Sequence, residues 1–590
     1  MPVFLCLFFS FFVSFPAFAS GPESPAWRAL LHFESAQSSV RADSDFFLSP
    51  VGFRDPAAEW DATARLLETP EGACRFPARA RLFGKTPGRA GELCARYHRW
   101  KEAVSATGIE LVFAAAFLNS PSSMYGHTLL KFPRGGRTEK DELLDYTLNY
   151  GADTGSAAGF SYVWKGLTGG FDGNYATAPF YLKVKEYNFV ENRDFWVYPL
   201  QVTEEELALL VDHAWELRDI DFPYFFLKKN CAYYLLEFLE VARPGAGLVD
   251  AFPLWAVPMD TIRRLEKHGW LGEGRLRPSR QKLLAARKES FSGAEISRVS
   301  ALLEGGAVAG GAGGGSEGRA GEAASVVDAA YDLWRYRSEG KKLGAEDNAT
   351  EARLLALRAA AGKSPPPVIK EVAPHLGHPT NRLSLGAGRD RARTFAEISY
   401  RGTLHDILSH PLGFEPSSEL AMGDIRLRWQ DKFFLERLDV LRLRGLAPTE
   451  RWFPRHAWSF RFGLSRVKEM PCTAWRCTSA LLQGGWGLSV SLGPVLFFGL
   501  GEIDAEWAGV FKPDYRFSAG PTAGIFSPLW PGGRILLEGE TRFRLLGERR
   551  QRRSARLGLN QDLSPRWELR LEGAVDRGAR EGLLRVNHYF

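Results

Sequence analysis

Cys231 follows Asn230 and opens the stretch Cys231–Val241, in which Leu235, Leu236 and Leu239 can cover one side of a helix. Asparagine is a favoured helix N-cap, so the spacing predicts a helix with the sulfur in its first turn. That turn carries unpaired N–H groups and a partial positive field, which favour thiolate over thiol. The Cys231 N–H can also face a developing oxyanion. A thiolate needs a base. Of the eleven histidines, His127 has the most telling setting, directly after Tyr125-Gly126 and at the start of a stretch, His127–Phe132, that reads as a strand. A strand holds an imidazole more rigidly than a loop does. His98 and His213 are rivals, the latter read as lying on the outer face of a helix. The chemistry of such a pair is nucleophilic attack by sulfur on an acyl carbon, with the imidazole moving the proton.

Cysteine arithmetic singles out the same residue. Phe4 to Phe18 is an apolar run, and Ala17-Phe18-Ala19 is a small-x-small cleavage site, so residues 1–19 read as a secretory signal peptide. Cys6 leaves with it. An exported chain meets an oxidising compartment, where cysteines pair. Cys74 with Cys94 and Cys472 with Cys477 are close in sequence and form two local pairs, leaving Cys231 as the odd thiol. The competing reading of Cys231 is a buried apolar cysteine.

The elements that must hold these residues lie in a mixed α+β region, residues 20–300. A helix is expected over 24–45, strands over His127–Phe132, Leu143–Tyr150 and Phe195–Leu200, and a loop or tight turn over the glycine-rich Gly166–Tyr175. Thr203 with Glu206 forms a capping box for a helix reaching about Leu217. Residues 301–380 read as a Gly-rich linker with helices, and Ser364-Pro365-Pro366-Pro367 marks its end. From about Asn381 the pattern changes to alternating segments such as Glu568-Leu569-Arg570-Leu571-Glu572 and Glu540-Thr541-Arg542-Phe543-Arg544-Leu545. Charged positions between large apolar ones suit a polar lumen and a lipid-facing exterior. Residues 381–590 are therefore expected to form an outer-membrane antiparallel β-barrel of about 12 strands. The last residues, Leu583–Phe590, alternate and end on an aromatic ring, as terminal strands of outer-membrane proteins do. A soluble sheet is the competing reading.

The net charge of +6 is scattered, and no zinc-finger spacing or basic recognition helix is present, so nucleic acid is not an expected partner. No cofactor or metal site is expected: His375-Leu376-Gly377-His378 stands in a Pro/Gly-bearing junction with no further ligands nearby, and no nucleotide-binding glycine motif has the right setting.

Several motifs carry a family resemblance. Asn119-Ser120-Pro121-Ser122-Ser123-Met124-Tyr125-Gly126-His127-Thr128 resembles the histidine motif of the DUF4105 family, the periplasmic domain of the lipoprotein N-acylation transferase Lnb. Phe225-Phe226-Leu227-Lys228-Lys229-Asn230-Cys231 resembles its Asn-Cys motif. Cys74–Arg79, Gly166–Gly170 and Glu191–Trp196 are also similar to the family pattern. The order, histidine strand first and Asn-Cys helix later, resembles circularly permuted papain-like enzymes of the NlpC/P60 or lecithin:retinol acyltransferase type. The resemblance implies Cys231 as nucleophile and His127 as base. It implies a third polar group on the following strand, Asn149 in preference to Asp145. It also suggests Tyr125 as an oxyanion-hole group, with simple packing as the alternative. The implied activity is a thiol-dependent acyltransferase or lipid hydrolase, with a phospholipid acyl donor and a lipoprotein or lysolipid acceptor. Outer-membrane lipid would surround the barrel, with the N-terminal domain in the periplasm. The named transferase joins this domain to membrane helices rather than to a barrel, so donor and acceptor stay open. Two other classes remain: a cysteine peptidase or amidase acting on cell-wall peptide, and a non-catalytic barrel with a periplasmic binding module.

Overall fold

The computed structural model describes residues 21–115, 125–135, 139–157, 159–305, 316–362, 364–391, 393–415, 417–468, 474–548, 551–576 and 579–590. The expected signal peptide, most of the 119–128 motif, Cys472 and most of the Gly-rich linker lie outside these residues. The chain divides into two compact units. One runs through Phe113 and includes Thr128–Val184 and Val197–Gly274; the other holds Ala114–His127, Lys185–Trp196 and Arg275–Phe590.

The N-terminal strands are β1 (Glu110–Ala114), β2 (His127–Phe132), β3 (Tyr146–Asp153), β4 (Phe171–Pro179), β5 (Phe195–Pro199), β6 (Asp221–Tyr224) and β7 (Arg275–Arg277), in sheet order β6-β4-β3-β2-β1-β5-β7. β2, β3 and β4 pair antiparallel, with Leu130 opposite Leu148 and Tyr150 opposite Tyr175. Helices alternate along the chain with the strands of this sheet, which makes the region α+β. In the first unit Cys74 and Cys94 are joined in a disulfide.

Two local expectations are corrected. The helix expected over 24–45 spans only Pro25–Leu30: Ser24 caps its start, and His32, at φ +55°, turns the chain out of helical geometry. The glycine-rich 166–175 segment is not a loop. Gly166 closes into the helix Gly159–Thr168, Gly169 at φ +77° ends it, and Phe171 starts β4. The glycines there serve close packing. A β-carbon on Gly173 would stand 2.4 Å from the Tyr150 hydroxyl, and one on Gly166 would stand 2.2 Å from the Phe226 ring.

The second unit contains a closed barrel of twelve strands, all pairing antiparallel: β8 (Arg382–Asp390), β9 (Arg393–His405), β10 (Ser418–Gln430), β11 (Lys432–Gly445), β12 (Ala457–Arg466), β13 (Thr478–Leu492), β14 (Val495–Trp507), β15 (Tyr515–Trp530), β16 (Gly533–Gly547), β17 (Arg552–Ser564), β18 (Trp567–Asp576) and β19 (Ala579–Tyr589). β19 pairs with β8 and closes the ring, so no strand edge is left for lipid to expose. The pleat sorts the residues. In β18, Arg570 is buried while Leu571 is 46% exposed, and in β13 Trp486, Leu488 and Val490 all stand outward.

Inward charges neutralise one another. Asp406, at the start of the β9–β10 connection, meets Arg382 at 2.6 Å, Arg401 at 2.7 Å and Arg570 at 3.0 Å. Leu408 of the same connection packs with Leu446, Leu496 and Phe498, and its carbonyl accepts from Arg534. Arg428 joins Glu397 to Glu581, and Arg444 pairs with Glu538. Such a lumen is polar without carrying a large net charge.

The same unit holds the helices Arg280–Ser290, Gly293–Leu303, Ser316–Ser338 and Ala345–Ala361. Leu284, Val299, Leu302, Leu333 and Leu354 form their core, which also buries Trp452 and Phe453 from the β11–β12 connection. Among the described residues no helix is long and apolar enough to cross a membrane.

Candidate functional site

Cys231 is the first residue of the helix Cys231–Glu240, as its capping residue dictates. The Asn230 side chain accepts from the Ala232 and Tyr233 N–H groups at 3.1 and 3.3 Å. Its amide nitrogen donates to the carbonyls of Phe226 and Ala256 at 3.2 and 2.8 Å. One side chain therefore fixes the helix start, the preceding loop and the 254–257 segment together. The sulfur is a buried thiol outside any disulfide, while Cys477 is disulfide-bonded to a partner outside the described residues.

The face of β3 toward this helix is lined by tyrosines. The Tyr150 ring lies 4.5 Å from that of Tyr234, which is one helical turn beyond Cys231, and the Tyr175 hydroxyl donates to the Tyr234 carbonyl. The Tyr150 hydroxyl is fully buried and has no hydrogen-bond partner among the described residues. Burial, then the neighbouring Tyr175 and Tyr224, hold its pKa well above that of free tyrosine, so the hydroxyl stays protonated. Sequence reading passed over Tyr150, although it was visible as an alternating residue of the strand. Asn149 precedes it and is buried. Asp145 is not in the strand. It accepts from the Arg134 N–H at 3.2 Å and stands 3.6 Å from buried Lys131, which also meets Glu110 and Glu142.

His127 is the first residue of β2, as its sequence setting implied. Its ring packs 5.2 Å from that of Tyr187, and the Arg193 guanidinium covers Tyr187 at 5.1 Å. Arg193 is buried and donates to the carbonyls of Ala115 at 2.7 Å and Ala114 at 2.8 Å, and it pairs with Glu191 at 2.9 Å. The Glu191–Trp196 motif thus forms a stack behind His127, a role that nothing in its spacing advertised. The Tyr125 hydroxyl donates to the Met422 sulfur at 3.3 Å.

The rival histidines occupy other settings. His98 is hydrogen-bonded to the Gly88 carbonyl at 2.7 Å. His213 is not on an outer helix face but fully buried, because every residue from Leu210 to Glu216 at the end of its helix is buried. It belongs to a chain of buried groups: Glu237 to His32 at 2.9 Å, His32 to His213 at 3.0 Å, and His213 to Glu216 at 3.1 Å. Burial pushes Glu216 up to about 8 and His213 well below its ordinary value. A carboxyl whose pKa rises from 4.5 to about 8 on folding stabilises fully below 4.5 and loses that contribution as pH climbs through about 8. His213 acts in the opposite sense, losing its contribution as pH falls below 6.5. Glu216→Gln keeps the uncharged form at every pH. Its melting temperature should therefore fall less than that of the wild type between pH 4.5 and about 8, measured by circular dichroism. An equal fall would contradict the assignment.

The first unit thus holds a capped thiol helix packed on Tyr150, and the second holds a strand histidine stacked on Tyr187. Residues 96–268 match the family model described as the Lnb N-terminal periplasmic domain. The matched residues include Cys231, His127, Asn149, Tyr125 and Tyr150. Residues 22–86 and 371–589 match two further models, each described as a domain of unknown function. With its Lnb-type domain and a closed barrel that turns apolar side chains outward, the chain is an outer-membrane protein whose N-terminal domain is periplasmic. A search of curated proteins finds no match. Solved structures similar to the chain include a KdgM porin (6% identity, TM-score 0.23, covering 35% of this chain and 99% of that one). A NanC porin is similar at 6% identity and TM-score 0.24, covering 35% of this chain and 98% of that one. So is the COG4313 outer membrane channel from Pseudomonas putida F1, at 10% identity and TM-score 0.25, covering 38% and 97%.

Proposed function

We propose that the Lnb-type domain is a thiol-dependent acyltransferase acting on phospholipid or lipoprotein through Cys231 and His127. The observation that carries this reading is the buried Cys231 thiol, held by Asn230 at the first turn of its helix in a chain whose other described cysteines are disulfide-bonded. In the reaction, His127 takes the thiol proton and the sulfur attacks the acyl carbonyl carbon of a phospholipid. The Cys231 N–H and the Tyr150 hydroxyl are the donors available to the oxyanion. As the intermediate collapses, the carbon–oxygen bond to glycerol breaks and His127 returns the proton to the leaving oxygen. The acyl group, now a thioester, passes to an amine, an alcohol or water, and the thiol is restored.

The test is incubation of the full-length protein with defined phospholipids and a lipopeptide, with products read by mass spectrometry in wild type, Cys231→Ala and His127→Ala. The expected result is lysophospholipid and acyl product in the wild type alone. Cleavage of peptidoglycan fragments with no acyl product would instead establish the amidase reading. Unchanged biological function in Cys231→Ala would establish a binding module.

A further inference from the structure

The loop that delivers Cys231 lies between two apolar, solvent-facing segments. On one side is the helix Gly159–Thr168. The Phe226 N–H donates to the Gly166 carbonyl at 2.8 Å, and Gly166 and Gly169 lie so close to Phe226 and Phe225 that neither position has room for a β-carbon. On the other side, the Ala256 N–H donates to the Leu227 carbonyl at 2.8 Å, and Asn230 donates to the Ala256 carbonyl. Both flanks expose large apolar side chains: Trp164 is 59% exposed, Leu167 48% and Leu254 66%. Exposed Lys165 stands among the first group, and Lys228 lies in the loop itself.

An isolated exposed leucine needs no explanation, but three large apolar groups bordering the loop before a nucleophile, with lysines interleaved, form an amphipathic rim. Apolar groups with basic neighbours complement acyl chains beneath anionic headgroups. The same chain carries an outer-membrane barrel, so bilayer lipid is an available source of acyl chains.

We infer that Trp164, Leu167 and Leu254 form a membrane-docking rim through which a phospholipid acyl chain is drawn from the bilayer to Cys231. This rests on the acyltransferase reading above and names the physical state of its donor: lipid in a bilayer rather than a dissolved ester.

The test uses the full-length protein in vesicles of phosphatidylethanolamine and phosphatidylglycerol. It compares acylation of Cys231 by the vesicle lipid with acylation by a water-soluble dibutyryl phospholipid. Trp164→Glu/Leu167→Glu should lower the vesicle reaction about tenfold or more and change the soluble reaction less than about twofold. Trp164→Phe/Leu167→Ile should behave as wild type. Vesicle acylation by the glutamate variant at the wild-type rate would overturn the rim while leaving the acyl reading intact. Loss of the soluble reaction as well would also overturn it, by making this helix part of the site's framework. A wild type that reacts only with the soluble ester would overturn the rim. A wild type that reacts with neither donor would overturn the acyl reading itself, and the rim with it.

Discussion

Replacing Cys231 with alanine should remove acyl transfer to the background, a loss on the order of 10⁴-fold or more, and replacing His127 should approach the same floor. In the proposed reaction the two side chains act in one proton-coupled step, so the double variant should be scarcely worse than either single one. Independent contributions would multiply instead. The measurement is the rate of lysophospholipid release at saturating lipid. Cys231→Ala retaining activity within about tenfold of wild type would remove the sulfur from the chemistry. Tyr187 and Arg193 support the His127 ring from behind without being placed in the reaction. Substitutions there should reduce the rate less than loss of His127 itself.

The second large effect concerns stability. Arg79 is fully buried, donates to Glu59 at 2.6 Å and to the Phe46 carbonyl at 2.8 Å, and its own N–H donates to Glu216 at 2.9 Å. Burial lowers its pKa, while Glu59 acts to keep it charged. Glu59 in turn accepts from the N–H groups of Leu48 and Ser49 at 2.9 and 2.8 Å. Glu59→Ala leaves a buried guanidinium without its carboxylate and frees two backbone donors, and should destabilise the N-terminal domain by about 3–5 kcal/mol. The paired change Glu59→Leu/Arg79→Met removes both charges and should cost less than the single one. Urea unfolding followed by circular dichroism, with hydrogen exchange at Phe46–Ser49, measures both. A Glu59→Ala domain as stable as wild type would show that the pair contributes nothing.

That pair also shows what the sequence could and could not convey. The Cys74–Arg79 motif was legible as a family feature, but its purpose was not, because Glu59, Phe46 and Glu216 come from segments far apart in the chain. The barrel was legible for a local reason: a period of two, as in Glu568–Glu572, survives wherever one face meets lipid and the other a polar lumen. Its closure through β19 and β8 is a long-range pairing that alternation alone does not specify, since an open sheet alternates too. The Cys231 helix was legible because its cap is the adjacent residue. The 166–175 segment was misread because glycine signals a turn by composition, whereas here it answers the close approach of Phe225, Phe226 and Tyr150. His213 was misplaced for a similar reason: its burial is set by His32, 181 residues away. Tyr150 was overlooked because a strand tyrosine reads as core until the absence of a partner for its hydroxyl is seen.

The proposed chemistry depends on one covalent event, the formation of a thioester on Cys231. Wild-type protein mixed with a phospholipid of defined chain length and quenched in acid should gain the mass of one acyl group. The added mass should map to the Cys231 peptide, be released by neutral hydroxylamine, and be absent from Cys231→Ala. A wild type that remains unmodified while it converts the lipid, or that carries the acyl group on another residue, would contradict the account.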